Sequence, residues 1–330
     1  MHGWLIIDKP VGPGSTDIVS KVKRALRDGG YPKLKVGHGG TLDPLASGVL
    51  PVALGEATKL AGRMLDADKV YDFTIRFGAE TDTLDLEGEV IATSGVRPRL
   101  ADVQATLEQF TGLIEQVPPA YSAIKIDGKP AYARARAGEA VEMKTRAVTV
   151  HSLEILPACG EGDQPRAGGG GDVQCAAQPP LHHSPEASGP PPGPGEDHVT
   201  LRARVSKGTY IRSLARDIAY ALDTVGHVTM LRRLKAGPFT LGEAISLDKL
   251  TELAMARELE QALLPLTAGL DDIPALPVTP DQAGLLRQGR KLIGIAGITE
   301  GLHLATDQSV PVALVELCGG ELRVVRGFNL

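Results

Sequence analysis

Residues 37–59 read GHGGTLDPLASGVLPVALGEATK. The first half, 37–48, holds glycines at 37, 39, 40 and 48, one histidine, and a single acid, Asp43, followed by Pro44. Bulky side chains are nearly absent there, which leaves the backbone free to turn and open to close approach. The second half, 49–54, is the apolar run VLPVAL, of strand length and broken by Pro51. Asp43 admits three readings. Asp before Pro is a common helix start, with Asp as N-cap and Pro at the first helical position. A glycine loop can cradle phosphate, but this one lacks the GK[ST] ending of a P-loop and the GxGxxG spacing of a dinucleotide site. The third reading is a catalytic carboxylate, set among glycines so that a bulky planar substrate can reach it.

Upstream, Trp4 to Ile7 reads as a short buried strand ending at Asp8-Lys9-Pro10. Ser15, Thr16 and Asp17 offer N-caps for a helix to about Arg27, with Ile18, Val19, Val22 and Leu26 at helical spacing. Downstream, 58–65 and 101–113 suit helices, and 147–156 and 199–205 suit strands. Residues 70–77, VYDFTIRF, alternate, placing Tyr71, Phe73, Ile75 and Phe77 on one strand face. After the turn 206–208, Thr209 caps a helix to about Leu222, with Arg212 and Arg216 opposite its apolar stripe. Residues 227–239, HVTMLRRLKAGPF, read as a basic, turn-rich connector. A helix over 247–264 and a Pro-spotted linker over 265–280 precede a small β-rich end. Strands and helices intersperse without a βαβ repeat, which predicts an α+β fold with a mixed, largely antiparallel sheet.

A length of 330 residues allows one large domain with an appendage, or two domains. The three cysteines, Cys159, Cys175 and Cys318, are far apart and match no ligand spacing, which suits a reducing cytosol. The four-residue apolar run near the N-terminus is too short for a signal peptide or a membrane span, so a soluble cytoplasmic protein is expected. The segment from about 157 to 198 is dominated by Gly and Pro and loses apolar periodicity, which predicts a disordered insertion in a hairpin turn. It carries Cys159, Cys175, His182, His183 and His198, at spacings that fit no metal site.

Net charge is −5, so nucleic-acid binding would need a local basic patch. Two segments supply one. Residues 200–240 hold eight basic side chains against two acids, and 121–150 hold six against three, with Tyr121 and Tyr132 interleaved. Cations for phosphate with aromatics for bases are the means of holding looped RNA, although a mixed solvated surface has the same composition.

GHGGTLDPLASGVLPVALGEATK resembles the catalytic motif of the pseudouridine synthases of the TruB family, which isomerise the T-loop uridine of tRNA, position 55. LIIDKPVGPGST resembles the family's first motif, and DADKVYDFTIRFGAETDTLDLEG the segment with the active-site tyrosine. VPPAYSAIKIDGKPAYARARAGEAVE resembles its RNA-gripping thumb, and VSKGTYIRSLARDI and HVTMLRRL its late motifs. The resemblance covers about residues 3–250, with the 157–198 insertion as its one gap. It implies that Asp43 is the nucleophile or covalent catalyst, that Tyr71 stacks on the uracil and assists proton removal from C5, and that Arg212 pairs with the Asp43 carboxylate. It implies that Leu231 packs against the base or the tyrosine, His38 sits beneath the flipped nucleotides, Lys9 and Pro10 brace the catalytic loop, and Tyr210 lies beside the site.

The chemistry suits that casting. Moving a uracil from an N-linkage to a C-linkage needs a group that holds one fragment while the other turns, and a carboxylate kept charged by an arginine can do this. A flipped base needs an aromatic platform and an apolar wall. No cofactor or metal is expected. The resemblance further implies a pseudouridine synthase domain over 1–272, with a thumb at about 118–148, and a small PUA-like domain over 275–330. The expected partner is the T-arm of tRNA, with no membrane and no obligate protein partner, for a cytoplasmic monomer. Two alternatives stand beside this: a tRNA-binding and folding module without catalysis, and a guide-RNA-dependent relative in the same superfamily. The thumb-like segment and the short C-terminal region favour the stand-alone tRNA enzyme.

Overall fold

A computed structural model describes residues 1–122, 124–126, 128–139, 142–157, 196–294 and 297–330. Most of the Gly/Pro-rich insertion, with Cys159, Cys175, His182 and His183, lies outside the described residues. The chain forms two compact units. One comprises Met1–Tyr71, Arg204–Gly208 and Leu231–Leu330, the other Asp72–Ala203 and Thr209–Met230.

The first unit is built on two strands, Gly3–Lys9 and Ala46–Leu54, paired antiparallel along their whole length from Gly3↔Leu54 to Lys9↔Gly48. The run Trp4 to Ile7 is apolar at every position because both faces of this pair are covered. Leu5 and Ile7 face the helices Ser15–Asp28 and Leu247–Ala256, through Ile18, Val22, Leu250 and Leu253. Trp4 and Ile6 face a second layer with Leu60, Met64, Phe239 and Leu266.

Pro51 does not break its strand as expected. Its carbonyl accepts the Gly39 N–H at 2.8 Å, so its ring nitrogen points to the same edge. On that edge, residues 46–48 pair in parallel with 231–233, and 52–54 pair antiparallel with the strand Val36–His38. Pro51 falls in the gap between the two partners, where no N–H is required.

Three further expectations are corrected. Residues 227–239 are not a turn-rich connector, because they lie mostly in the strand Gly226–Ala236. Its two arginines have partners: Arg232 pairs with both carboxylate oxygens of Asp8, and Arg233 is buried against backbone carbonyls. The helix begun at Leu247 ends at Ala256, not near 264, because Arg257 takes a left-handed conformation (φ +61°) and bonds back to the carbonyls of Gly29 and Gly30. The linker 265–280 is structured, since its strand Ala275–Pro277 pairs in parallel with the strand Gly301–Asp307.

That pairing opens a five-stranded C-terminal sheet, which continues through Val310–Cys318 and Glu321–Gly327 to Leu292–Ile293. The helix Pro280–Arg287 packs on it through Ala283 and Leu286, against Leu292, Val312, Val315 and Leu322. Leu304, Leu314 and Phe328 turn the other way and join the layer around Trp4.

In the second unit the strand order runs from residues 226–230 through the strands Lys69–Phe77, His198–Val205 and Arg146–Ile155 to Gly112–Gln116. Phe73, Ile75 and Phe77 are buried as their alternation predicts, whereas Tyr71 is only half-buried. The helix expected over 101–113 is Leu100–Leu107 plus one short turn, since residues 112–116 pair with 146–150 as an edge strand. It lies against the helix Ile211–Ala221. The N-cap of that second helix is Tyr210, not Thr209. The described ladders are largely antiparallel with parallel exceptions, as the α+β reading requires.

Candidate active site

Asp43 lies between the strands Val36–His38 and Ala46–Leu54. Its carbonyl accepts the Ala46 N–H at 3.1 Å, closing a turn that leads directly into strand. No helix follows Pro44, so the N-cap reading of Asp-Pro fails. The side chain of Asp43 is half-buried.

The glycines do less for substrate approach than the sequence suggests. A Cβ on Gly39 would press into the Met64 side chain at 2.7 Å, so close packing is what requires glycine there. At Gly48, φ is +101° and a Cβ would overlap the Arg233 carbonyl. Only Gly37, of the three glycines ahead of Asp43, faces open space.

Three side chains from outside the loop fix its backbone. Lys9, fully buried, donates from Nζ to the carbonyls of Ala46 (2.6 Å), Pro10 (2.9 Å) and Pro44 (3.2 Å). Burial pushes its ammonium down to about 8, while the Asp43 charge pulls upward and the Arg233 charge adds to the fall. Ser15 Oγ accepts the Leu42 N–H at 2.8 Å and donates to the Leu42 carbonyl at 3.1 Å. Ser15 is therefore not the N-cap of its helix. Gly14 takes that position, and its N–H is held by the Asp17 carboxylate. Arg233, 1% exposed, donates Nε–H to the Val49 carbonyl at 2.7 Å, and its two terminal nitrogens reach those of Thr41 (3.2 Å) and Gly40 (3.4 Å). The sequence offers Ser15 only as an N-cap and Arg233 only as one of a basic run, although both lie within the motifs quoted above.

Tyr71 and Leu231 are half-buried and pack against the apolar cluster containing Leu42 and Ala46, on either side of Asp43 in sequence. Leu231 stands opposite Ala46 in the parallel pairing. Lys69, two residues before Tyr71, is buried and donates to the carbonyls of Leu65 and Ala67; burial, then the Arg233 charge, takes it down to about 8. His38 closes its short strand opposite Val52. Its Nδ1 is buried with no hydrogen-bond partner among the described residues, and burial followed by the Arg233 charge lowers its pKa. The first unit thus gathers Asp43, Lys9, His38, Tyr71 and Leu231.

Arg212 and Tyr210 belong to the second unit. Arg212, expected on the polar side of its helix, is buried at the second helical position. It donates to the carbonyls of Thr83 (2.7 Å) and Tyr121 (2.9 Å) and pairs with Asp85 at 3.2 Å. Asp85 in turn accepts from Thr83 Oγ1 and from the Glu87 N–H. Between them Leu84 is held at φ +62°, a strained conformation for a leucine. Asp85 is a functional candidate the sequence did not isolate, one acid among several in ETDTLDLEG. Tyr210 is anchored by its backbone, which exchanges two hydrogen bonds with the Gln116 amide. Among the described residues no cluster of His, Cys, Asp and Glu could hold a metal ion, and no helix is long and apolar enough to cross a membrane.

Known proteins resemble the chain over its whole length. The family model described as "TruB family pseudouridylate synthase (N terminal domain)" matches residues 27–166, and "tRNA pseudouridylate synthase B C-terminal domain" matches 212–271. The chain is 58% identical to the tRNA pseudouridine synthase B of Novosphingobium aromaticivorans, over 100% of this chain and 98% of that one. It is 56% identical to that of Zymomonas mobilis, over 100% and 96%. Among solved structures, a chain of the "Crystal Structure of a Cbf5-Nop10-Gar1 Complex" is similar with a TM-score of 0.67 and 25% identity, covering 99% of this chain and 85% of that one. A chain of an H/ACA RNP bound to a substrate RNA has the same TM-score and coverage at 23% identity. With full-length identity above one half, and with Asp43 on a pinned loop between two strands, the chain belongs to the TruB family of pseudouridylate synthases.

Proposed function

We propose that this chain is a tRNA pseudouridine synthase that converts the T-loop uridine at position 55. The observation that carries the reading is Asp43, a half-buried carboxylate whose neighbours in the loop are fixed by Lys9, Ser15 and Arg233. The names of relatives matching the whole chain support the same substrate.

In the reaction the N1–C1′ bond breaks, a C5–C1′ bond forms, C5 loses a proton and N1 gains one, so the nucleotide keeps its composition. Asp43 adds to the uracil ring or attacks ribose C1′, and either route holds one fragment while the other turns. Arg212 is the cation that favours the ionised Asp43 carboxylate; its burial and its two carbonyl bonds support a fixed role. Tyr71 is the platform for the flipped uracil and assists removal of the C5 proton, and Leu231 is the apolar wall. His38 supports the opened T-loop from beneath, and Tyr210 lines the site. Lys9 braces the loop together with Pro10, as its three carbonyl bonds suggest.

Residues 1–272 form the catalytic domain in this reading. The thumb at about 118–148 grips the T-arm with Arg134, Arg136 and Lys144, and the guanidinium of Arg136 stacks over Tyr132 at 5.8 Å. Residues 275–330 form a PUA-like RNA-binding domain. The enzyme acts as a cytoplasmic monomer.

The test is tritium release from C5-labelled uridine in an unmodified tRNA transcript, with wild type beside Asp43→Asn. Wild type should release one uridine's tritium per tRNA, and Asp43→Asn should be slower by roughly 10⁴-fold or more. Tight tRNA binding without release by wild type would leave the folding module in place of the isomerase.

A further inference from the structure

The geometry points to a clamp, made by Arg233 and Ser15, that positions Asp43 for the isomerisation; this inference rests on the function proposed above. The loop around Asp43 is rich in glycine and makes few bonds within itself. Left alone, such a segment samples many conformations, and a nucleophile on it would be displaced from the reacting atom for most of the time. The backbone is tied from outside on each side of Asp43. Arg233 holds the carbonyls of Gly40 and Thr41 on the incoming arm and that of Val49 on the outgoing arm. Ser15 holds both the N–H and the carbonyl of Leu42, immediately before the catalytic residue.

Arg233 spans the two arms because its donors are spread over a rigid planar fork. A lysine donates three N–H bonds from one nitrogen, as Lys9 does, and would have to draw the carbonyls of both arms around that single point. The guanidinium has no carboxylate partner among its described contacts, so its donors are committed to the loop. Gly48 completes the fit, since any Cβ there would push against the backbone of Arg233 itself. Neither residue reaches the substrate in this reading. Both act through the position of Asp43.

The experiment compares wild type, Arg233→Lys, Arg233→Gln and Ser15→Ala. Three quantities are read for each: single-turnover tritium release with enzyme in excess, the Kd for tRNA by filter binding, and amide hydrogen exchange over residues 39–49. Both Arg233 variants should slow the single turnover by roughly 100-fold with Kd changed less than about threefold, and exchange in the loop should quicken. Ser15→Ala should slow it by about fivefold, with faster exchange at Leu42.

A residue that merely fills the core would lower the melting temperature but leave the rate of the folded enzyme intact, and lysine would restore it. A wild-type rate in Arg233→Lys therefore overturns the fork. Should the Arg233 variants fail to fold, Ser15→Ala decides alone, and an unchanged rate with unchanged exchange at Leu42 overturns the clamp. If wild type itself releases no tritium, the function reading has failed, while loop exchange in the variants still reports on the clamp.

Discussion

Arg212 in the second unit and Arg233 in the first are both almost wholly buried, yet they are held by different means. Arg212 has a carboxylate, Asp85, and two carbonyls. Among the described residues Arg233 has carbonyls alone. A carboxylate offsets part of the charge it binds, whereas carbonyl dipoles satisfy the donors and leave the charge in place. The second solution therefore acts at a distance. The positive charge of Arg233 adds to the depression of Lys9, Lys69 and His38 in the same unit. A buried cation can thus be a fastener whose charge is offset in part by a carboxylate, or a fastener whose charge is left to its surroundings.

The largest expected effect tests the first kind. Asp85→Asn keeps the shape of the side chain but takes a carboxylate away from the buried Arg212 guanidinium, and should cost about 3–5 kcal/mol in urea denaturation. A loss below about 1 kcal/mol would mean that the two arginines are held alike after all.

The next effect tests the second kind. Lys9 and Lys69 lie near 8 in the folded protein against an ordinary 10.5. Between those values the unfolded chain binds more protons, so stability should rise with pH from about 8 towards 10.5. In Arg233→Gln both lysines should titrate higher, and the rise should shrink by on the order of 1 kcal/mol. Denaturation curves at a series of pH values read this directly, and an equal rise in both proteins would show that the Arg233 charge does not reach the lysines.

The smallest effect is a control on charge at the edge of the same strand. Arg232 and Asp8 form a two-point ion pair, but their side chains are 25% and 36% exposed. Asp8→Asn should cost less than about 1 kcal/mol, and added salt should narrow the difference from wild type.

The neighbouring pair Arg232 and Arg233 also shows where the sequence could be read and where it could not. The strand Gly3–Lys9 is legible because WLII is apolar at each step, and only a strand covered on both faces wants that. The strand Gly226–Ala236 is not, because consecutive arginines look like surface. Their partners, Asp8 and the carbonyls of residues 40, 41 and 49, come from distant parts of the chain. Pro51 misleads in the same way, since its tolerance depends on a gap between two strands that no local pattern encodes. Asp43 was singled out by its composition of neighbours and by family resemblance. Asp85 and Ser15 were not, because a side chain that bonds backbone from another segment leaves no periodicity behind. The glycines ahead of Asp43 read as room for a substrate, but Gly39 is required by packing against Met64, as Gly48 is by Arg233, which only the tertiary structure supplies.

The layer around Trp4 has a consequence for biosynthesis. Trp4 donates its indole N–H to the carbonyl of Leu266, and packs in a cluster that includes Leu304, Leu314 and Phe328. The Phe328 segment is held from both sides, with Lys59 donating to the Gly327 carbonyl and the Asn329 N–H donating to Glu56. During translation the WLII strand is made long before Leu266, Leu304, Leu314 and Phe328, which complete the layer over one of its faces. Until they are made, that face is covered only in part, by early residues such as Ala57, Leu60 and Met64. A nascent chain of this protein therefore carries a partly covered apolar strand until residues 266–328 have been made, an interval in which that strand is open to non-native pairing.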